Sequence, residues 1–425
     1  MQIKSKKYWD YVSILKEELV PAMGCTEPIA LAYAAAKAKE VLGVLPSGSR
    51  VAVSGNIIKN VKSVIVPNTG GLKGIEAAVA AGIIAGNPSK TLEVLSDIKE
   101  EDKPRIQDYR ETHDIRIIPY EGDLVFYISV TVYAGNSYAT VVIEDYHTNI
   151  VYIEKDGNAL FRSEAELNNV NLTDRGALNV EEILAFVDMV DLTDIADVIG
   201  RQIEYNSAIA ADGMKNNWGA NIGKVLVNTY GDDVKIRAKA MAAAGSDARM
   251  GGCEKPVIIL SGSGNQSLTA SLPVIEYAKE LKVSQDKLFR AVALADLITI
   301  HQKTSVGRLS AFCGAVSAGC AAGAGIAYLC NGDYDAIAHT VVNALAIVSG
   351  IVCDGAKSSC AAKIASAVDA GLIGFSMYQS GQEFCGGDGI ITKGVDNTIA
   401  NVGRMASKGM RETDSEIIKI MVECR

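Results

Sequence analysis

An α+β fold, mainly helical with a β-rich region inserted after the first two helices, is predicted by three changes of pattern along this 425-residue chain. Apolar side chains recur at helical spacing through the first forty residues, alternate with period two from about residue 46 to about 155, and return to Ala-rich helical runs from Val180 onward. Hydrophobic residues make up 48% of the chain but aromatic ones only 6%. The apolar bulk therefore rests on Ala, Val, Ile and Leu, which suits close helix packing in a globular protein. The length exceeds what one small core needs, and the division expected is 1–45 for N-terminal helices that belong to the helical part, 46–165 for the β-rich region and 166–425 for the main helical domain.

Taken in order, Tyr8 to Leu19 places Val12, Leu15 and Leu19 on one helix face. Pro28 to Val41 is a second, Ala-rich helix whose start is marked by Thr26, Glu27 and Pro28, with Pro21-Ala-Met-Gly-Cys25 between the two. Arg50 to Asn56 and Val61 to Val66 read as strands, Leu72 to Ala85 as a helix after the Asn68-Thr-Gly-Gly71 turn, and Pro88 to Lys99 as another. Residues 114–155 hold at least four strand-like runs, among them Leu124 to Val132, Tyr138 to Glu144 and Ile150 to Glu154. Their short connections leave no room for helical crossovers, so an antiparallel sheet is expected. Asn168 to Arg175 reads as a polar linker, and the helical remainder is broken by Gly-rich turns at Gly251-Gly252, Ser261 to Gly264 and Gly386-Gly387.

The formal charge of -9 lacks the clustered Lys and Arg excess of a nucleic-acid footprint. Lys4, Lys6 and Lys7 lead into polar and acidic residues without the apolar stretch of a signal peptide, and the Ala/Gly-rich stretch 311–330 reads as a buried helix, not a membrane span. A cytoplasmic location without membrane contact is expected. Nine cysteines, an odd number in a reducing compartment, fit free thiols or metal ligation better than a disulfide framework.

Cysteine carries the chemistry. Cys353 and Cys360 flank Asp-Gly-Ala-Lys-Ser-Ser, and Cys313 lies forty residues upstream. Three thiolates from two segments would suit a metal or an iron–sulfur cluster, whereas buried cysteine also serves as a small hydrophobe; spacing alone leaves both open. The pair Cys313 and Cys320 repeats the seven-residue gap, but Ala-rich helices resemble one another by composition and no true repeat is inferred. Cys25 sits at a helix start, where Thr26 can cap and the helix dipole favours a thiolate, so it reads as a base, a nucleophile, a metal ligand or an inert thiol. Ser261-Gly-Ser-Gly-Asn-Gln266 follows the apolar run Val257 to Leu260 and precedes a helix expected near Ser267. Its backbone N–H groups suit an anion, although an ordinary turn has the same composition. His301 reads as a helix-end residue, and Asp388, Lys393, Asp396 and Arg404 as a solvated face.

Read together, Pro21-Ala-Met-Gly-Cys-Thr-Glu-Pro28, Ser261-Gly-Ser-Gly-Asn265, Gly307-Arg-Leu-Ser-Ala-Phe-Cys-Gly314, Cys353-Asp-Gly-Ala-Lys357 with Cys360, and Gly409-Met-Arg-Glu-Thr-Asp414 closely resemble the L-cysteine desulfidase family, which is related to the iron–sulfur L-serine dehydratase α chain. The resemblance implies a [4Fe-4S] lyase that eliminates the β-substituent of a small L-amino acid, giving pyruvate, ammonia and hydrogen sulfide from L-cysteine. By position, Cys313, Cys353 and Cys360 match the cluster ligands and Cys25 the residue proposed as the base. Ser261, Ser263, Gly264 and Asn265 would cradle the substrate carboxylate. Cys253, Cys320, Cys330 and Cys385 match nothing in the family pattern, and Cys424 would reach a cluster only through a folded-back tail. The alternatives are an iron–sulfur L-serine dehydratase and, from another class, a non-catalytic iron–sulfur redox sensor. The expected partner is the small amino acid, with a homo-oligomer left open.

Overall fold

The computed structural model describes residues 1–163, 172–307 and 309–423. Helices α1 (Lys6–Glu18) and α2 (Thr26–Leu42) flank a short strand β1 (Val20–Met23) that the sequence reading did not anticipate. The Ser5 side chain caps α1 by accepting from the Tyr8 N–H, satisfying a donor that the first helical turn leaves free. Cys25, not Thr26, occupies the N-cap of α2, and Gly43 ends that helix at φ 86°, a left-handed position that glycine adopts without strain.

The β-rich region runs β2 (Gly48–Val53), α3 (Gly55–Val61), α4 (Ile75–Ala85), a 3-10 turn (Pro88–Glu93), α5 (Asp102–Thr112), β3 (Asp114–Pro119), β4 (Tyr127–Ala134), β5 (Ser137–Glu144), β6 (Ile150–Lys155) and β7 (Asn158–Arg162). The six strands lie in the order β3-β2-β4-β5-β6-β7. The antiparallel pairing expected in 114–155 holds from β4 to β7, but the whole sheet is mixed, because β2, from before that stretch, runs parallel to β3, with Gly48 opposite Asp114 and Val53 opposite Pro119. The connection between them carries α3 to α5 and is long enough for a crossover. Val51, Val53, Ile128, Val130, Val132 and Val141 alternate inward with no exposure, and α2 packs against β4, β5 and α4.

Two expected elements differ and one helix was not expected. The strand over Val61 to Val66 is replaced by the end of α3 and an isolated bridge from Ile65 to Lys73. Asn56 with Asn60 and Ile57 with Val61 bury at four-residue spacing, a helical repeat that the short run had masked. The helix expected over Pro88 to Lys99 is a 3-10 turn broken at Thr91, whose φ of 47° and ψ of -109° are not helical. Helix α5 was missed because only Ile106 and Tyr109 of it are buried, too few to make an apolar stripe.

After residues 172–179 the chain is helical: α6 (Val180–Met189), α7 (Ala196–Lys215), α8 (Ile222–Tyr230), α9 (Val234–Met250), strand β8 (Pro256–Ile259), α10 (Gly264–Leu281), α11 (Gln285–Val306), α12 (Gly314–Leu329), α13 (Tyr334–Val348), α14 (Cys360–Gln379), α15 (Val395–Arg404), a π turn (Met405–Gly409) and α16 (Arg411–Glu423). The linker expected over 168–175 falls partly outside the described residues. Helix α12 is central, packed against α10, α11, α13 and α14. Its Ala and Gly side chains each bury little apolar area, so its contribution comes from the close approach of its backbone to its neighbours. Among the described residues α14 alone is long and apolar enough to cross a membrane, and 56% of its apolar window is buried against other helices.

Candidate active site

Two local devices bring distant segments together. Strands β1 and β8 pair antiparallel, Val20 opposite Ile259 and Met23 opposite Pro256, and Gly24 at φ 57° then reverses the chain, a conformation open to glycine. The first turn of α2 thereby returns beside the Ser261 turn, where Thr26 Oγ1 donates to Gly262 O at 3.0 Å. The second device is a bridge between Phe312 and Val352, in which Cys313 N–H donates to Ile351 O (3.1 Å) and Cys353 N–H to Ala311 O (2.6 Å). This sets Cys313 beside Cys353. The loop from Cys353 to Cys360 is pinned by Asp354, which pairs with Lys357 and Lys363. Although burial opposes it, those two ammonium groups hold the Asp354 carboxyl at about 2.

These segments surround one cavity of about 110 Å³. The N-terminal ends of four helices meet there: α2 through Cys25, α10 through Ser263, Asn265 and Gln266, α12 through Cys313 and Gly314, and α14 through Cys360. Each end presents unpaired N–H groups and the positive pole of a helix dipole, so the cavity favours anions and thiolates.

Cys313, Cys353 and Cys360 share one wall, and all cysteines among the described residues are free thiols. Burial pushes the Cys313 thiol up to about 12, and the charges of Cys353 and Cys360 add to it. Cys360 is raised by burial and then by Cys353. Thiols that raise one another in this way are close neighbours, and a positive metal centre relieves the repulsion. No three Cys, His, Asp or Glu side chains among the described residues converge tightly enough for a single metal ion. A four-iron cluster binds each thiolate to a different iron and needs a wider set, which the three thiols on this wall fit in donor type.

Cys25, which shares a small apolar cluster with Cys360, is 3% exposed, and its Sγ donates to Glu27 Oε2 at 3.1 Å. The sequence left a thiolate favoured by the helix dipole and an inert thiol both open here. In the structure burial, followed by the charge of Glu27, raises this thiol well above its ordinary value, and the nearby Arg249 opposes that rise. The Glu27 carboxylate accepts also from Asn60 Nδ2 (3.0 Å), and Thr26 Oγ1, 3.1 Å away, shares its single proton between this carboxylate and Gly262 O. His147 Nε2 stands 3.9 Å from its second oxygen, an ion-pair distance too long for a hydrogen bond, and has no hydrogen-bond partner. Burial works to raise Glu27, but His147 and the Cys25 thiol outweigh it and hold the carboxyl at about 2. Lys59, 1% exposed, reaches from α3 to Asp414 of α16. Gly355, at φ 93°, lies so close to the Lys59 carbonyl that a Cβ would approach it to 2.2 Å.

Of the residues singled out from the sequence, Cys25, Ser261, Ser263, Asn265, Cys313, Cys353 and Cys360 line this cavity. Gly264 opens α10 just behind it. Cys320 is buried inside α12, Cys253 is buried elsewhere, Cys330 is half-buried and Cys385 is exposed, and none of them lines the cavity. Cys424 lies outside the described residues. His301 sits within α11 and pairs with Asp396 of α15 at 2.8 Å, a packing contact between helices. Gln266, the last residue of the quoted Ser261 turn, also lines the cavity, as do Glu27, Lys59, Asn60, His147 and Arg249, which were not singled out. Glu27 was at least inside a quoted motif, whereas Arg249 and His147 carry no local signal of burial.

Residues 89–419 match the family described as serine dehydratase alpha chain. Similar chains include UPF0597 proteins from Desulfitobacterium hafniense, 59% identical with 99% of this chain and 98% of the relative covered, from Lachnoclostridium phytofermentans, 51% identical over 98% and 100%, and from Treponema denticola, 45% identical over the whole of both. With nearly four-fifths of its length matched and its candidate site assembled from the matched part plus residues of α2 and α3, the chain belongs to the serine dehydratase alpha chain family.

Proposed function

We propose that this chain is a lyase that removes the β-substituent of a small L-amino acid, with L-cysteine as substrate and pyruvate, ammonia and hydrogen sulfide as products. The convergence of Cys25, the Ser261 turn and the three-thiol wall on one small cavity carries this reading. Cys313, Cys353 and Cys360 would hold a [4Fe-4S] cluster. When bound, such a cluster supplies an iron without a protein ligand, a Lewis acid able to polarise the bound substrate.

The protein's own groups do the rest. Cys25 Sγ, as thiolate, takes the α-proton; the Cα–H electron pair forms the Cα–Cβ double bond while the Cβ–S bond breaks and hydrosulfide leaves. The resulting enamine tautomerises to an imine, which water hydrolyses to pyruvate and ammonia. Arg249 favours the thiolate form of Cys25, and burial with Glu27 opposes it. The base is therefore switched on by whatever adds positive charge to the cavity. The four helix ends stabilise the carboxylate and the carbanion character that builds beside it.

The family's own description favours L-serine as a second reading, with water leaving in place of sulfide. The test is an anaerobic preparation with reconstituted cluster, assayed for pyruvate and sulfide from L-cysteine and for pyruvate from L-serine. Sulfide and pyruvate in equal amounts from L-cysteine are expected. Pyruvate from serine alone would move the assignment to a dehydratase, and no product from either would favour a redox sensor.

A further inference from the structure

Arg249 ends α9 with 2% exposure. Its Nε donates to Gly24 O at 2.8 Å, its side chain lines the cavity, and among the described residues no carboxylate pairs with it. Of the buried acids close in sequence or on the cavity, Asp247 accepts from the Ala220 and Gly223 N–H groups and Glu27 from Cys25, Thr26 and Asn60. A buried guanidinium without a counter-charge is costly. The surroundings deepen that cost. A Cβ on Gly264 would come 2.5 Å from Arg249 Nε and 3.0 Å from its Cζ, so the guanidinium is seated against the first residue of α10. The Ser263 side chain makes no capping bond there, and the first-turn N–H groups stay open. A cation and a positive helix end side by side define an anion subsite.

Close by are unsatisfied acceptors of the opposite kind. Gln266 is 5% exposed, and its Oε1, like Asn265 Oδ1, is buried without a partner. Both residues belong to the same first turn of α10 and line the cavity. An orphaned buried acceptor is costly until a donor arrives.

We propose that Arg249, together with the first turn of α10, binds the α-carboxylate of the ligand while the Asn265 and Gln266 amides take its ammonium, so that the site selects free α-amino acids. This rests on reading the cavity as the substrate site, and it adds the fixed charge that the Ser261 turn lacks. A guanidinium grips a carboxylate through two parallel N–H···O bonds, which an ammonium cannot reproduce.

Calorimetry on the reduced, metal-free protein tests it apart from turnover. L-Alanine, which has no β-leaving group, is titrated beside L-alaninamide, which lacks the carboxylate. Wild type should bind alanine at least tenfold more tightly than alaninamide. Arg249→Lys should lose about tenfold in alanine affinity and Arg249→Gln more, with unchanged far-ultraviolet circular dichroism. Absent alanine binding, equal binding of the two ligands, or an unaltered Arg249→Lys overturns the proposal. If both variants misfold, the two-ligand comparison in wild type decides. A protein that binds alanine through Arg249 yet turns over neither cysteine nor serine would retire the lyase reading and keep the subsite; turnover with an unchanged KM in Arg249→Lys would do the opposite.

Discussion

Replacing Gly319 by Ala should destabilise this protein and disturb its thiol wall, although the same exchange in an open helix interior is stabilising. Gly319 lies in α12 where it crosses α14, and a Cβ there would come within 2.4 Å of the carbonyl carbon and oxygen of Ala367; Gly323 meets Gly371 in the same way at 2.7 Å. Ordinary contact begins at 3.4 Å, so the helices must part by 3.4 − 2.4, or 1.0 Å. Overpacking costs about 1–3 kcal/mol, and a backbone neighbour that cannot rotate away puts this case near the upper end; helix propensity returns about 1 kcal/mol, leaving a net loss of about 2 kcal/mol. Gly200→Ala in α7 is the control, since its nearest neighbour is Phe289 Cζ at 3.5 Å and it should gain about 1 kcal/mol. At about 2.1 cal/mol/K per residue the unfolding entropy of this chain is roughly 0.9 kcal/mol/K, so Tm should fall by about 2 °C for Gly319→Ala and rise by about 1 °C for the control. Cys313 directly precedes α12 and Cys360 opens α14, so parting the helices also moves two of the three thiols. Iron retained per chain after anaerobic reconstitution should drop in Gly319→Ala and not in the control. Melting followed by circular dichroism decides the first point, and a Gly319→Ala protein as stable as wild type would refute the contact.

Cys25→Ala should keep the cluster absorbance and lose about 10²–10⁴-fold in kcat; loss of the absorbance would make Cys25 a ligand. Cys353→Ala should show the reverse, with little iron and an unchanged fold by circular dichroism, and a full cluster in that variant would remove Cys353 from the ligand set. Asp296, fully buried in α11, is pushed up to about 8 by burial, against a bond from Gln202. The native carboxyl thus holds its proton to higher pH than the unfolded one, so stability falls from about pH 4 to about pH 8 and then levels off. Asp296→Asn should melt progressively higher relative to wild type as pH rises through that window, and a difference independent of pH would show that Asp296 does not titrate there.

The parts of this molecule that local chemistry controls were legible in the sequence. The alternation in 127–155, the helical period of α1, α2 and α10 to α14, and the Gly/Ser turn before α10 each follow from side chains a few positions apart. The errors arose where pairing is long-range or signal is thin. β1 is four residues long and is a strand only because β8, more than two hundred residues later, pairs with it. β2 and β3 are parallel because three helices intervene.

At the site the same division holds. Cys313, Cys353, Cys360, Cys25 and the Ser261 turn stand out by themselves, since thiols and glycines at helix starts are locally unusual. That they face one cavity was decided by the crossing of α12 with α14, the bridge from Phe312 to Val352, and the reversal at Gly24. Arg249 and His147 belong wholly to the tertiary structure. An arginine near the end of an Ala-rich helix and a histidine in a hairpin have the same sequence surroundings whether they meet water or a buried cavity, and only packing removes the water that would screen them.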